Sequence, residues 1–287
     1  MAASNPSYPV IPDERGDDLH GLADIHRAKL VIFMAGNQFM VMTELMAAFQ
    51  KRHPSISPIY YETLPPKLEL NQILAGGAYF RGQLIDVVPD IYTSVSSQAV
   101  EILVAKMLAD RNKTFPYLHN RIALMVAAGN PMGIETVTDL ARKGLRISQP
   151  NAAYEDIAAH ILAMYRQAGG EQLQRCIMEG KRIRGETLLT TVHHRETPQR
   201  ILDGQVDVGP VWATEIDHAR RSGLPLEGLD VGAELDQRDQ VSYFACPITS
   251  GRHHQNADRF LSFLTSSAAV RIYRRYGFTP AATGHSK

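Results

Sequence analysis

The sequence predicts an α/β protein of two lobes, each a mainly parallel sheet flanked by helices. Three observations point there. Short continuous apolar runs such as Leu30-Val-Ile-Phe-Met34 have the length of strands buried on both faces. Helical patterns alternate with such runs along most of the chain, the signature of layered sheets with crossover helices. A chain of 287 residues with 44% hydrophobic content can bury one large core or two ordinary ones.

The strand at Leu30–Met34 runs through Ala35-Gly-Asn-Gln38 into a helical pattern with Phe39, Met42, Leu45, Met46 and Phe49 inward, closed by His53-Pro54. A second strand is expected between Ile56 and Tyr61. Pro65 and Pro66 then open a helix that stops at Gly76-Gly77. Strands at Leu84–Val88 and Asp90–Thr93 precede a helix at Ser96–Leu108. From Arg121, a strand Ile122–Ala127, a helix around Val137–Lys143 and a strand Leu145–Ser148 follow. The next helix carries Ile157, Ile161, Leu162 and Tyr165 inward and ends at Gly169-Gly170. Thr197-Pro198 reads as an N-cap with proline at the first helical position, and Gly204 closes that helix before a strand over Val206–Trp212. In the closing stretch, Phe260, Leu261 and Leu264 recur at helical spacing. Ser266 and Ser267 suit a break, and Val270, Tyr273 and Tyr276 continue the stripe to Gly277.

The segmentation that follows is a tail over residues 1–27, lobe I from 28–116 and 243–287, and lobe II from 117–242. The chain then crosses twice between lobes, which makes a hinge. The tail assignment rests on Pro6, Pro9, Pro12 and the acidic stretch Asp13–Asp18.

Composition narrows the function. Lys plus Arg and Asp plus Glu both number 30, and no basic block interleaves with aromatics, so a nucleic-acid partner is not expected. Cys176 and Cys246 lack Cys-x-x-Cys spacing, which removes a zinc ribbon or redox dithiol. Two buried thiols are expected, with a single disulfide left open. No run approaches the roughly 18 apolar residues of a membrane span. Residues 1–12 do not read as a secretory signal, so either a signal was removed, giving a periplasmic protein, or the protein is cytoplasmic. No nucleophile elbow, phosphate loop or zinc-protease motif appears, and no catalytic residue or cofactor is expected.

Four motifs, in shared order, resemble the type 2 periplasmic solute-binding proteins, above all the molybdate-binding branch of ABC importers. They are Val31-Ile-Phe-Met-Ala-Gly-Asn-Gln38, Gln72-Ile73 with Gly76-Gly77, Asp207-Val-Gly-Pro-Val-Trp212, and Tyr276-Gly-Phe-Thr-Pro280. The resemblance implies a monomeric substrate-binding component that captures a small polar anion, molybdate- or tungstate-like, between its lobes and docks on a membrane permease. Its ligand residues would be Asn37, Gln38, Thr63 and Thr93 in the first lobe. In the second they would be Asn151, Tyr154, His193, His194, Arg195 and Trp212. Helix N-termini supply N–H donors for such an anion.

Three places depart from the family pattern. Pro65 and Pro66 remove backbone donors beside Thr63. Glu155 and Asp156 stand at a helix start, where they are expected to face solvent and complement the helix dipole. His193-His-Arg195 could serve an oxyanion or carboxylate through the Arg195 fork, or, with Glu62 or Glu155, a transition metal. The competing readings are a cytoplasmic ligand-sensing module of the same fold, or a binder of a metal or small organic acid. His253-His254 reads as a surface turn.

Overall fold

The structure is a computed structural model, described here for residues 8–95, 97–153, 155–191 and 195–281. It divides into two units. Unit 1 comprises Met1–Leu118, Ser242–Arg275 and Pro280–Lys287, and unit 2 comprises His119–Val241 and Tyr276–Thr279.

Six strands of the seven-stranded main sheet in unit 1 follow the order Phe115–His119, Ser242–Pro247, Ile91–Ser94, Val31–Phe33, Tyr60–Glu62, Leu19–His20, and the short strand Thr279–Pro280 precedes Phe115–His119. Val31–Phe33 is parallel to both neighbours, with Val31 opposite Tyr60 and Ile32 opposite Ile91. All three of its residues are buried, as a strand covered on both faces requires. Ser242–Pro247 and Leu19–His20 join antiparallel at either side of the parallel centre. The helix Phe39–Arg52 buries Met42, Leu45, Met46 and Phe49. Phe49 meets Phe260 of the helix His254–Leu264 edge-on, with ring centroids 4.9 Å apart. The break expected at Ser266 separates that helix from Ser267–Arg275.

The segment expected as a tail is instead part of unit 1 from residue 8 onward. Val10–Ile11 pairs in parallel with Ala78–Phe80, and Leu19–His20 pairs with Tyr60–Glu62. Ile11, Arg15, Asp18 and Ile25 are buried, and the Arg15 guanidinium lies 3.2 Å from the Asp18 carboxylate. The strand expected over Leu84–Val88 is also shorter. Gln83–Ile85 folds back antiparallel on Ala78–Phe80 through Arg81 and Gly82, whose φ angles of 48° and 76° are those of a tight hairpin.

Unit 2 has a five-stranded sheet in the order Thr187–Leu189, Ile147–Gln149, Val208–Trp212, Ile122–Ala127, Leu226–Leu229. The first three run parallel, and Ile122–Ala127 lies antiparallel to both its neighbours. Ala123, Met125, Val211, Ile216 and Leu226 form the core on one side. The helix Ile157–Arg175 covers the sheet with Ile157, Ile161, Met164 and Tyr165 and loses helical geometry at Gly169 and Gly170, where the sequence placed its end. Thr197 is not a cap. It sits inside the helix Glu196–Leu202, fully buried, with its hydroxyl 2.8 Å from that of Ser148. Gly209 opposite is required by this packing, since a Cβ there would lie 2.4 Å from the Thr197 methyl. Cys176 and Cys246 are free thiols.

Candidate functional site

Unit 1 brings three of its four expected residues together at the turn Gly36–Gln38, which links the strand Val31–Phe33 to the helix Phe39–Arg52. Asn37 is 5% exposed and donates its amide to the Tyr243 hydroxyl, while its Oδ1 has no hydrogen-bond partner. A buried acceptor left unmatched costs roughly 1–3 kcal/mol, so a donor brought to this atom would be taken up favourably. Gln38 is fully buried. Its Oε1 accepts from the Tyr117 hydroxyl at 2.9 Å, and its Nε2 approaches the Thr93 hydroxyl at 3.5 Å. Thr93 accepts the Ala35 N–H at 2.8 Å. Gln38 and Thr93 therefore fix the turn that presents Asn37.

Gly36 sets how closely the next loop approaches. A Cβ there would stand 2.6 Å from the Thr63 carbonyl and 2.8 Å from that of Leu64, so only glycine permits this packing. Thr63 itself is occupied: its hydroxyl donates to the Asp18 carboxylate at 2.9 Å and its N–H to the Asp18 carbonyl at 2.9 Å. Beside it, the Leu64 N–H donates to Glu69 Oε1 at 3.2 Å. Glu62 is fully buried, accepting from Tyr60 at 2.6 Å and Gln72 at 3.0 Å. Burial pushes its carboxyl up to about 7 despite those two donors, and burial with the charge of Glu62 pushes Glu69 well above the usual carboxylate range. The Glu62 carboxyl is thus committed inside unit 1.

In unit 2 the strand Ile147–Gln149 ends at Pro150, and Asn151 begins the turn toward the helix Ile157–Arg175. The Asn151 N–H donates to Thr190 Oγ1 at 3.0 Å and to Glu155 Oε1 at 3.3 Å, and Asn151 Oδ1 accepts the Ala153 N–H at 3.0 Å. The Thr190 hydroxyl donates to the Glu155 carboxylate. The expectation that Glu155 faces solvent fails, because the side chain is 7% exposed and its carboxylate closes the turn from within. At the neighbouring junction, Thr191 N–H lies 3.0 Å from Glu196 Oε1, and Arg200 reaches the same carboxylate at 2.7 Å.

Trp212 ends the strand Val208–Trp212 and is 1% exposed, with its ring 6.0 Å from that of His160. The large aromatic packs, and burial holds His160 below its ordinary value. Arg195 immediately precedes the helix Glu196–Leu202, and its charge helps lower His218, whose shift comes first from burial. Tyr154, His193 and His194 lie outside the described residues. Among the described residues no group of three or more His, Cys, Asp or Glu is placed to hold a metal. Two surface hollows, about 270 Å³ beside Arg52 and Arg259 in unit 1 and about 380 Å³ beside Arg121 and Arg238 in unit 2, contain none of the expected residues.

Sequence reasoning missed Asp18, Tyr117, Tyr243 and Thr190. The Asn37–Tyr243 contact spans 206 positions, and no local pattern marks such a partner.

An α/β chain of two units, with polar side chains gathered at strand-to-helix turns, has the architecture of a binding protein for small solutes. The family of bacterial extracellular solute-binding proteins matches residues 30–279, and this chain belongs to it. No curated protein is matched by its sequence. Among solved structures, the sulfate-binding protein SubI of Mycobacterium tuberculosis is similar at 17% identity, with 88% of this chain and 87% of that one covered and a TM-score of 0.70. The periplasmic molybdate-binding protein of Azotobacter vinelandii is similar at 17% identity, covering 88% of this chain and all (100%) of its own, with a TM-score of 0.69. Iron-bound HitA of Pseudomonas aeruginosa is similar at 13% identity, over 89% of this chain and 87% of its own, with a TM-score of 0.67. These likenesses bear out the type 2 periplasmic-binding-protein fold. Membership in a family of binding proteins also places the chain outside enzymes.

Proposed function

We propose that this protein is the substrate-binding component of an ABC-type importer, which takes up a small polar solute outside the cytoplasmic membrane and delivers it to a membrane permease. Family membership supports the carrier role, and among the described residues no helix is long and apolar enough to cross a membrane. The observation that carries the reading is the Asn37 turn: a nearly buried amide, held by Tyr243, keeps one acceptor without a partner. Structural amides normally satisfy both ends, and an unsatisfied end at the start of a helix supports a role in taking up a solute. Molybdate- or tungstate-like oxyanions, small organic acids and metal complexes all fall within the class of solute this fold accommodates.

The test is calorimetric. Asn37→Ala is expected to weaken binding of any solute identified by thermal-shift screening by about tenfold, or about 1.4 kcal/mol, with little change in melting temperature. Equal affinity in the variant would reject Asn37 as a ligand residue. Absence of any solute-induced stabilisation across anion, cation and neutral panels would reject the carrier reading, since a ligand at about 100 times its Kd stabilises by roughly 2.7 kcal/mol. Fractionation of cells expressing the full-length protein decides between an importer component and a cytoplasmic sensor.

A further inference from the structure

We propose that Glu62 and Glu69 form a buried proton-binding site that braces the Asn37 turn of unit 1, so that the turn loosens as the proton is lost with rising pH. Where that turn takes up solute, the same proton regulates capture, a step that rests on the carrier reading above.

The hydrogen bonds around the pair leave it short of donors. Glu62, Glu69 and Gln72 are all fully buried, the first on the strand Tyr60–Glu62 and the other two on one face of the helix Pro66–Ala75. Glu62 Oε1 accepts from the Tyr60 hydroxyl at 2.6 Å and from Gln72 Nε2 at 3.0 Å, and Glu69 Oε1 accepts the Leu64 N–H at 3.2 Å. Glu62 Oε2, Glu69 Oε2 and Gln72 Oε1 have no partner among the described residues. A proton on either carboxyl turns an acceptor into a donor, the group this arrangement lacks. The electrostatics agree. Burial raises both acids, Glu62 to about 7, and the charges of Glu62 and Asp18 raise Glu69 further. Arg15 offsets this only in part, since its guanidinium is 3.2 Å from the Asp18 carboxylate.

Two routes join the pair to the turn. The Met34 N–H donates to the Glu62 carbonyl at 3.0 Å, and the next two carbonyls, of Thr63 and Leu64, lie 2.6 and 2.8 Å from where a Cβ on Gly36 would stand. On the other side, Tyr117 feels the charge of Glu69 and donates to Gln38 Oε1 at 2.9 Å. Loss of the proton leaves a second buried charge beside the first and supplies no donor for it, and parting the Thr63–Leu64 loop from the turn is the nearest way to admit water. The sign follows from the raised acid, which binds its proton more tightly folded than unfolded. The bracing is complete below about 4.5, declines as pH climbs to about 7, and is lost above that.

The experiment is amide hydrogen exchange by NMR on the intact protein without added solute, at about pH 6 and about pH 8, with rates corrected for intrinsic base catalysis. Two amides report: Leu64 N–H, bonded to Glu69, and Gln38 N–H, which closes the turn on the Ala35 carbonyl. The protection of both should fall about tenfold between the two pH values, the change implied by a carboxyl raised from 4.5 to about 7. The double variant Glu62→Gln/Glu69→Gln should hold the same protection at both, while Glu101→Gln, at an exposed ion pair with Arg111, should behave as the wild type. The wild type alone is decisive if the double variant does not fold. Protection of Leu64 that does not change with pH would overturn the proton site, and a fall at Leu64 without one at Gln38 would overturn its coupling to the turn. Neither result depends on a solute, so both are distinct from failure of the carrier reading, which the solute screen decides.

Discussion

Replacing Glu62 by Gln should flatten the dependence of stability on pH. Glu62 is fully buried, with Tyr60 and Gln72 donating to one oxygen and no hydrogen-bond partner on the other. Burial raises its carboxyl from 4.5 to about 7 in the folded protein. A raised acid binds its proton more tightly in the folded state than in the unfolded one. Its contribution is therefore intact below the unfolded value, declines as pH climbs from 4.5 to about 7, and is gone above that. At about 1.4 kcal/mol per unit, the wild type should lose about 3 kcal/mol between pH 5 and pH 8 through this residue. Glutamine keeps the acceptor for Tyr60 and Gln72 but cannot ionise, and it removes the charge that helps raise Glu69. The assay is urea unfolding of wild type and Glu62→Gln at both pH values; taking the difference cancels the titrating groups that do not interact with Glu62, and leaves the joint contribution of Glu62 and its neighbour Glu69. An equal pH slope in the two proteins would refute the assignment of Glu62 as a buried neutral acid.

Other outcomes follow from the same structure. Gly36→Ala should destabilise unit 1 by about 1–3 kcal/mol, because its new methyl meets the Thr63 and Leu64 carbonyls at 2.6 and 2.8 Å; thermal unfolding measures this. With Ellman's reagent under native conditions, Cys176 should react and Cys246 should not, since Cys246 is fully buried and its thiol is pushed up to about 12; two thiols reacting at equal rates would contradict that burial. Thr197→Val should cost about 1 kcal/mol by severing the Ser148 hydrogen bond within unit 2, as read from the unfolding midpoint.

Much of the fold was legible because its signals are local. The strand Ile122–Ala127 and the run through Val31–Phe33 announce themselves as uninterrupted apolar stretches. The breaks at Gly169-Gly170 and Ser266 are backbone statements that glycine and a capping hydroxyl make without help from the rest of the chain. The segment before Ala28 carried no such signal. Its strands are two residues long, too short for any periodicity, and their stability comes from partners more than 40 positions away. The site was legible by position and not by role. Asn37, Gln38 and Thr93 do meet, yet Gln38 and Thr93 spend their polar atoms on the protein itself. Thr63 and Asn151 are similarly engaged, and Trp212 is buried. Sequence gives the direction of a turn but not the distance from which a carboxylate such as Asp18 or Glu155 returns to fill it.

The order in which unit 1 receives its strands bears on how the polypeptide is made. Ile91–Ser94 emerges from the ribosome long before Ser242–Pro247, its antiparallel neighbour, and everything between Leu118 and Ser242 belongs to unit 2. Throughout that interval of translation one long side of Ile91–Ser94 exposes bare amides and carbonyls beside an apolar surface, the configuration most prone to off-pathway pairing with another nascent chain. Unit 2 is nearly contiguous and can mature during that wait, whereas unit 1 receives its remaining strands only when the stretch from Ser242 onward arrives, an order that leaves its assembly until late in synthesis.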